Sequence, residues 1–439
     1  MDESFLGPRT GIQQQLAPQV ERKACPIGEF GIAFCFDQGI KSNVHARSAI
    51  VDGSDWKTAV DKAVCRVNQD APEQPVSVAL LFLTVNFKDN YEEILEQVRF
   101  ETRAVHLIGC SAVGLIGNGQ ELEGRSGISL MTLRLPNTSL TTCHFDLQTL
   151  EEEHPPEFWR HKIGVAPDQV SGWLLFGDPF NTPCDRLVTE LGAAYPNKPI
   201  IGGLASTPFT DEPESFLFLD NKIVQNGAVG IAIGTGTRID TIISQGCTPI
   251  GTPHTITKAD QNIIFEIGSQ PAYDVLVDTV KKLDSDLQSR ARGNLFVGLV
   301  MNEYLEEYKR GDFLIRNILG ANPEQGFLAV GALPKAGQTL QFQLRDRAAA
   351  HEEMVTLLET VHRKMGKTRP FAALVCSCNG RGIGLFQLPN HDAEQVGKIF
   401  DPVEVAGFFC SGEIGPVGDK NFLHGYTSAI ALFSPGEKE

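Results

Sequence analysis

The chain has 439 residues, of which 42% are hydrophobic and 21% are charged, a composition typical of a globular protein large enough for two domains or a duplicated unit. Its 38 Lys and Arg residues and 54 Asp and Glu residues give a formal net charge of −16. This acidity argues against nucleic acid and anionic membrane surfaces as the main partners, because both select clustered basic side chains.

Residues 1–25 contain a Gly-Pro pair and three consecutive glutamines without apolar periodicity, which predicts a flexible N-terminal arm. The segment lacks the apolar stretch of a secretory signal, and no later apolar run is long enough to cross a membrane. Ten cysteines are spread along the chain, several within apolar runs, as is typical of reduced thiols. We therefore expect a cytoplasmic protein that does not bind membranes.

A strand–helix–strand unit follows the arm. Residues 78–85 are a continuous apolar run of strand length, and residues 91–100 have apolar side chains at helical spacing. The apolar residues 106–108 run into Gly109-Cys110-Ser111, and a glycine-rich connection leads to another strand at 127–135. Apolar runs bounded by glycines in this way predict strands that are buried on both faces.

The same order recurs twice further along the chain. It returns in segments 172–176, 183–194, 199–203 and 227–233, and again in segments 371–375, 393–400, 405–412 and 426–433. Between these copies the apolar spacing predicts an amphipathic helix at 271–288 and a degraded further copy at 295–330.

These repeats predict an α/β or α+β fold, in which duplicated β-α-β-β units form mixed sheets covered by helices. We expect two related halves with a boundary near residue 260. The predicted domains are 26–259 and 260–439, preceded by the flexible arm at 1–25.

Three strands end in glycine turns, at 109–119, 202–207 and 407–418. Ligands gather at such strand ends in α/β sheets, because a missing side chain lets a ligand approach the backbone. The alternative is that the glycines only allow tight turns. The sequence leaves open whether the three turns form one pocket or several.

The last turn is the densest in polar residues and contains one carboxylate, Glu413, among its glycines. Arg381 follows the preceding strand and lies between two glycines, where its guanidinium could bind a carboxylate while Glu413 binds an ammonium group. Such a pair suits a zwitterion; the alternative is that the two side chains pair with each other or with solvent. The other predicted ligand-binding residues are Cys378, Asn379, Ser411, Gly412, His424, Thr427, Cys110 and Ser111.

Two kinds of chemistry compete with simple binding. Cys110, Cys378 and Cys410 end strands and could act as nucleophiles with His106 or His424 as base, but a cysteine there is more often a small buried hydrophobe. A zinc site would combine three cysteines with His424, but the Cys-x-Cys spacing is not that of a zinc knuckle. We therefore predict no catalytic residues, no metal and no cofactor, and keep a cysteine-dependent enzyme as an alternative.

These motifs resemble the FIST family. Residues Cys376–Arg381 and Gly407–Thr427, with the Gly-Glu-Ile-Gly-Pro core at 412–416, are similar to the FIST C domain. Residues Leu80–Leu133, with Ile108-Gly109-Cys110-Ser111-Ala112, are similar to the FIST N domain, and the similarity continues through Ile201–Ala205 and Gly227–Gly230.

The resemblance implies an intracellular signal-transduction sensor of small ligands, amino acids among them, and gives no catalytic residues to carry over. Family members often carry an output module or an F-box beside these domains. We expect no output domain within this chain and therefore a downstream protein partner. The remaining alternative is a non-catalytic adaptor or scaffold related to the F-box-associated members.

Overall fold

The computed structural model describes residues 44–72, 74–208, 210 and 213–436. The described residues all belong to one compact unit. The predicted arm at 1–25 lies outside them.

The first repeat forms a mixed sheet with helices on one face. Its elements are β1 (His45–Asp52), α1 (Trp56–Asn68), β2 (Val76–Thr84), α2 (Tyr91–Thr102), β3 (Ala104–Ala112), β4 (Gly114–Gly117), β5 (Gln120–Glu123) and β6 (Gly127–Arg134). Strands β2 and β3 run parallel, and β6 is antiparallel to both β1 and β2. This is the strand–helix–strand–glycine turn–strand order that the apolar runs predicted.

The second repeat has the same order. Its elements are β7 (Leu140–Phe145), α3 (Pro156–Ile163), β8 (Val170–Gly177), α4 (Cys184–Ala194), β9 (Ile200–Leu204), β10 (Leu217–Leu219), β11 (Lys222–Val224) and β12 (Ala228–Gly234). Strands β8 and β9 are the parallel pair of this repeat.

The third repeat begins with β13 (Thr237–Ser244) and is then interrupted by an insert. The insert contains β14 (Cys247–Pro249), β15 (His254–Asp260), β16 (Ile263–Ile267), β17 (Gln270–Pro271), α5 (Ala272–Lys281), α6 (Ser285–Ala291), β18 (Leu295–Val300), β19 (Phe313–Asn322), β20 (Phe327–Val330) and β21 (Thr339–Arg345). Because β21 pairs with both β15 and β18, the strands close into a small barrel.

This barrel corrects two expectations. The segment at 295–330 is not a further β-α-β copy, since β18, β19 and β20 are antiparallel neighbours without a helix between them. The helix predicted at 271–288 is divided into α5 and α6, and the Asp284 side chain caps the second by accepting the Leu287 N–H at 2.8 Å. An N-cap inside an apolar periodic stretch starts a new helix.

The third repeat resumes after the barrel. Its elements are α7 (Arg347–Met365), β22 (Ala372–Cys378), α8 (Gly382–Phe386), α9 (His391–Phe400), β23 (Glu404–Cys410), β24 (Glu413–Val417), β25 (Lys420–His424) and β26 (Ser428–Pro435). The helix-covered mixed sheets are confirmed. In the described residues they are organised as three repeats, the third carrying the barrel. The division into two domains near residue 260 stays a prediction.

Each repeat gives its glycine-turn hairpin to the sheet of another repeat. Hairpin β4–β5 pairs with β23, hairpin β10–β11 with β3, and hairpin β24–β25 with β9. The exchange is cyclic, so every one of the three sheets is completed by a neighbouring repeat.

A polar side chain of each hairpin fixes this exchange. Asn118, Asp220 and Asn421 accept backbone N–H groups from Val405, Leu107 and Ile200 at 2.6, 3.1 and 2.8 Å, respectively. The three donors occupy the same position in their strands, two residues before Gly407, Gly109 and Gly202.

These three glycines allow the parallel strands to approach closely. A Cβ atom at Gly109, Gly202 or Gly407 would lie 1.8 to 1.9 Å from the carbonyl oxygen of the partner strand. Any larger residue would force the strands apart, so strand packing requires glycine at each of these three positions.

The inner faces of the three sheets share one core. Phe82 lies 4.7 Å from Phe408 and 5.4 Å from Phe176, between ring centroids, and Phe176 lies 5.8 Å from Phe408. Each of these rings comes from a different repeat, and each fully buried Phe contributes roughly 1.5–3 kcal/mol. The helices cover the outer faces through separate apolar clusters. Among the described residues, no helix has both the length and the apolar character needed to span a membrane.

Candidate functional site

A cavity of about 660 Å³ lies where the parallel strands of all three repeats end. The first glycine turn contributes Val113, the second Thr207 and the third Ser411. The three turns therefore converge on this cavity, at the strand ends where α/β sheets bind ligands. The described residues that line the cavity are Val85, Asn86, Ala112, Val113, Gly114, Glu123, Gly124, Arg125, Phe180, Thr207, Pro208, Thr210, Pro213, Asn379, Phe409 and Ser411.

Apolar side chains form most of the cavity wall. Phe409 of β23 is buried, with 2% of its surface exposed, whereas Phe180 is 45% exposed. A mostly apolar wall with a few polar groups is typical of small-molecule sites, because the apolar area supplies binding energy and the polar groups fix orientation.

Glu123 and Arg125 are the charged residues among the described residues of the wall. Glu123 ends β5, and its Oε1 accepts the N–H of Ile383, at the start of α8, at 2.9 Å. Burial raises the pKa of the Glu123 carboxyl, and the charge of Asp392 adds to this effect. Arg125 forms an ion pair with Asp52, and its side chain is 61% exposed.

Two of the predicted binding residues line this cavity. Asn379, which follows β22, donates its Nδ2–H to the Ser411 hydroxyl at 3.2 Å, and both side chains are exposed. The other predicted residues lie behind the cavity wall or in the core, and their role in ligand binding stays a prediction.

Arg381 is fully buried and forms a bidentate ion pair with Asp392, at 2.7 and 2.9 Å. Asp392 also accepts the Ser377 hydroxyl at 2.7 Å, and its Oδ1 lies 2.8 Å from His391 Nδ1. Although burial disfavours the charged form, Arg381 and His391 hold the pKa of Asp392 well below its usual range. The Arg381 fork expected to bind a ligand is thus occupied by a carboxylate of the protein.

Glu413 is also fully buried, at the start of β24. Its Oε2 accepts the Thr427 N–H at 2.9 Å, and its Oε1 accepts the Cys410 thiol at 3.4 Å. Burial raises the pKa of Glu413 to about 8. Thr427 in turn accepts the Cys378 N–H through its carbonyl at 2.9 Å, so these predicted residues form one buried network.

His424 and Gly412 take part in the packing of hairpin β24–β25. His424 Nε2 lies 3.0 Å from the Gly415 carbonyl oxygen, and burial lowers the pKa of this imidazole to about 4. The Gly412 carbonyl accepts the Leu204 N–H at 2.8 Å across the repeat boundary. Both residues therefore hold the exchanged hairpin.

Cys110 and Ser111 lie inside the protein. Cys110 belongs to the shared core, and the Ser111 hydroxyl accepts the Phe216 N–H at 3.0 Å. Burial raises the pKa of the Cys110 and Cys410 thiols well above their usual value and that of Cys378 to about 12. A protonated thiol is a weak nucleophile, so these cysteines are poorly suited to catalysis.

The described residues contain no group of three or more His, Cys, Asp or Glu side chains arranged to hold a metal ion. Cys376, Cys378 and Cys410 instead pack between the neighbouring strands β22 and β23. Cys376 is opposite Phe408, and Cys378 is opposite Cys410.

Sequence reasoning missed Glu123, Arg125 and Phe180. Phe180 lies shortly after the end of β8, and this position next to a strand end could have identified it as a candidate binding residue. Glu123 ends β5 and Arg125 follows it, and β5 reaches the cavity only because hairpin β4–β5 joins the sheet of another repeat. No local pattern reveals such an exchange.

The fold defines an α+β protein of three hairpin-exchanging repeats with a cavity at their joint strand ends. The FIST N domain matches residues 77–270 and the FIST C domain matches residues 272–416. The chain belongs to the FIST family, whose domains are associated with signal-transduction sensing. The two matched segments meet inside the barrel insert.

The chain is similar to proteins from mycobacteria and from an archaeon. It is 31% identical over 389 residues to uncharacterized protein Rv0628c of Mycobacterium tuberculosis, covering 86% of this chain and 97% of that protein. It is 29% identical over 393 residues to uncharacterized protein Mb0898c of Mycobacterium bovis, covering 86% and 96%. Uncharacterized protein MJ1623 of Methanocaldococcus jannaschii is 18% identical over 254 residues, covering 56% and 47%.

Proposed function

We propose that this chain is a cytoplasmic sensory protein that binds a small ligand in the cavity at the joint strand ends. The observation that carries this proposal is the convergence of all three glycine turns on one mostly apolar cavity. Because each wall belongs to a different repeat, a ligand there would contact all three repeats and could change how they pack. A protein partner that responds to this change in packing would transmit the signal.

An amino acid is the ligand class that membership of the FIST family favours. The pair expected to bind it, Arg381 and Glu413, is engaged inside the protein. Glu123 and Arg125 provide a carboxylate and a guanidinium on the cavity wall in their place. We propose no catalytic activity for this chain. The raised pKa values of the strand-end cysteines agree with this, because they keep the thiols protonated.

A thermal-shift screen of amino acids and other small metabolites tests the proposal. A compound that binds the folded state at 100 times its Kd stabilises it by about 2.7 kcal/mol, which raises Tm measurably. Ser411→Phe fills the cavity from an exposed wall position and should abolish the shift. Ser289→Phe, on the exposed face of α6, is the matched control and should preserve it.

Two results would count against binding in this cavity. A shift that survives Ser411→Phe would place the ligand elsewhere. If no compound raises Tm, the adaptor or scaffold alternative is favoured instead.

A further inference from the structure

The two charged side chains of the cavity wall are not equally available to a ligand. Arg125 already has a counter-ion, Asp52, and its side chain is 61% exposed to solvent. A guanidinium that is paired and hydrated gains little from a second carboxylate. The cavity therefore has weak capacity to attract a ligand anion through Arg125.

Glu123, in contrast to Arg125, is available to a ligand of opposite charge. Among the described residues it has no cationic partner within ion-pair distance. Its Oε1 accepts the Ile383 N–H, whereas no donor among the described residues is bonded to Oε2. A half-buried carboxylate without a counter-ion is costly, and a cation that approaches it removes part of that cost.

Neighbouring charges strengthen the preference for a cation. Glu121, two residues before Glu123 on β5, accepts the N–H groups of Asp392 and Ala393 at 2.8 and 3.0 Å. The charge of Asp392 acts on both glutamates. Arg381, the nearby guanidinium, donates its Nε–H and Nη2–H to Asp392, whereas its buried Nη1 has no hydrogen-bond partner among the described residues. The net charge of −16 adds a long-range attraction for cations.

The rest of the wall suits the apolar body of such a ligand. Phe180 and Phe409 lie on walls contributed by the second and third repeats, whereas Glu123 comes from the first. Aromatic faces attract cations in addition to burying apolar surface.

We propose that the cavity recognises an organic ammonium ion, with the ammonium group bound by the free oxygen of Glu123 and an apolar body packed against Phe180 and Phe409. This inference rests on the proposed function and narrows it: the ammonium group of the ligand is required, and a carboxylate is not.

Three probes of similar size that differ in charge test the inference: 2-phenylethylammonium, 3-phenylpropionate and zwitterionic phenylalanine. Titration calorimetry on the full chain should show binding of 2-phenylethylammonium and at least tenfold weaker binding of 3-phenylpropionate. Phenylalanine should bind no more tightly than the amine. Equal or tighter binding of 3-phenylpropionate, or no binding of the amine, would overturn the inference.

Glu123→Gln is the decisive variant, because the amide oxygen can still accept the Ile383 N–H while the charge is lost. It should keep the Tm of the free protein and weaken amine binding by tenfold or more, as expected when a charged hydrogen bond is removed. Unchanged amine affinity in this variant would refute the role of Glu123.

Arg125→Gln is the matched control, because Arg125 lies on the same cavity wall shortly after Glu123. It should leave amine affinity within twofold or increase it. Loss of phenylalanine binding in this variant, with no amine binding to the parent chain, would show that the cavity recognises a carboxylate. In that case the proposed ligand-binding function stands and the ammonium requirement is wrong. If neither these probes nor the metabolite screen gives a ligand, both proposals fail.

Discussion

Arg381 and Glu413 show how little a residue's type says about its partner. Both were expected to face a ligand, and the alternative was a pair with each other or with solvent. Arg381 instead pairs with Asp392, eleven residues later in the chain. Glu413 is held by the backbone of Thr427 and the thiol of Cys410. Within the motif that carries the family resemblance, these two side chains are therefore bonded inside the protein, whereas Asn379, Phe409 and Ser411 line the cavity.

The buried Glu413 should make the stability of the protein depend on pH. Burial raises its pKa from 4.5 to about 8, so between these values the folded state holds a proton that the unfolded state has released. Stability must therefore fall as pH rises through this window, by at most about 1.4 kcal/mol per pH unit for one proton. Urea unfolding from pH 5 to pH 8.5 should show a smaller decrease for Glu413→Gln than for the parent chain.

Comparing the parent chain with Glu413→Gln separates the contribution of Glu413 to the pH dependence from the contributions of other titrating groups. Glu121 contributes a decrease of the same sign, since its pKa is also raised to about 8. His424, with a pKa lowered to about 4, contributes an increase between pH 4 and 6.5. Both groups remain in the variant. Glu153→Gln, at an exposed position, is the control and should leave the pH dependence unchanged. Identical pH dependence in Glu413→Gln and the parent would contradict the expectation.

At the scale of elements, the repeats were predictable because their signal is local. A buried strand, an amphipathic helix and a strand ending in glycine each leave a pattern within about ten residues. Gly109, Gly202 and Gly407 were identified in this way. The sheet that a hairpin joins depends on contacts distant in sequence, so the exchange could not be predicted, and neither could the presence of Glu123 at the cavity.

The barrel was unpredictable for a related reason. Its strands alternate irregularly and are broken by shifts of register, as between Ile318 and Gly320. Closure depends on β21 pairing with both β15 and β18, and no local pattern records that a strand has two such partners.

The exchanged hairpins should depend on their polar side chains. Asn421 is nearly buried, accepts the Ile200 N–H and donates to the Lys198 carbonyl at 3.0 Å. Asn421→Ala removes both bonds and leaves a buried N–H without a partner, so it should lower the free energy of unfolding by roughly 1–3 kcal/mol.

Chemical denaturation would measure this effect. Asp419→Ala, in the exposed turn of the same hairpin, should change stability by less than about 0.5 kcal/mol. Equal effects of the two substitutions would show that Asn421 does not anchor the hairpin.

At the scale of the whole molecule, the cyclic exchange should prevent the repeats from folding separately. A fragment of residues 1–236 lacks β23, the partner of hairpin β4–β5, and lacks β24, which completes the sheet at β9. We expect this fragment and the fragment of residues 237–439 to show no cooperative unfolding when expressed alone. Co-expression should give a complex that unfolds like the intact chain, as measured by circular dichroism and calorimetry. Cooperative unfolding of the first fragment at the Tm of the intact chain would contradict this expectation.

The cyclic arrangement around the cavity also bears on how the protein could have evolved. A ring of three identical chains could surround a central site only with three identical walls. When the repeats are fused, each wall can acquire its own substitutions by separate mutation. The carboxylate of Glu123 on one wall and the aromatic rings of Phe180 and Phe409 on the others are the asymmetry that fusion permits, and a ligand with two different ends requires such an asymmetric site.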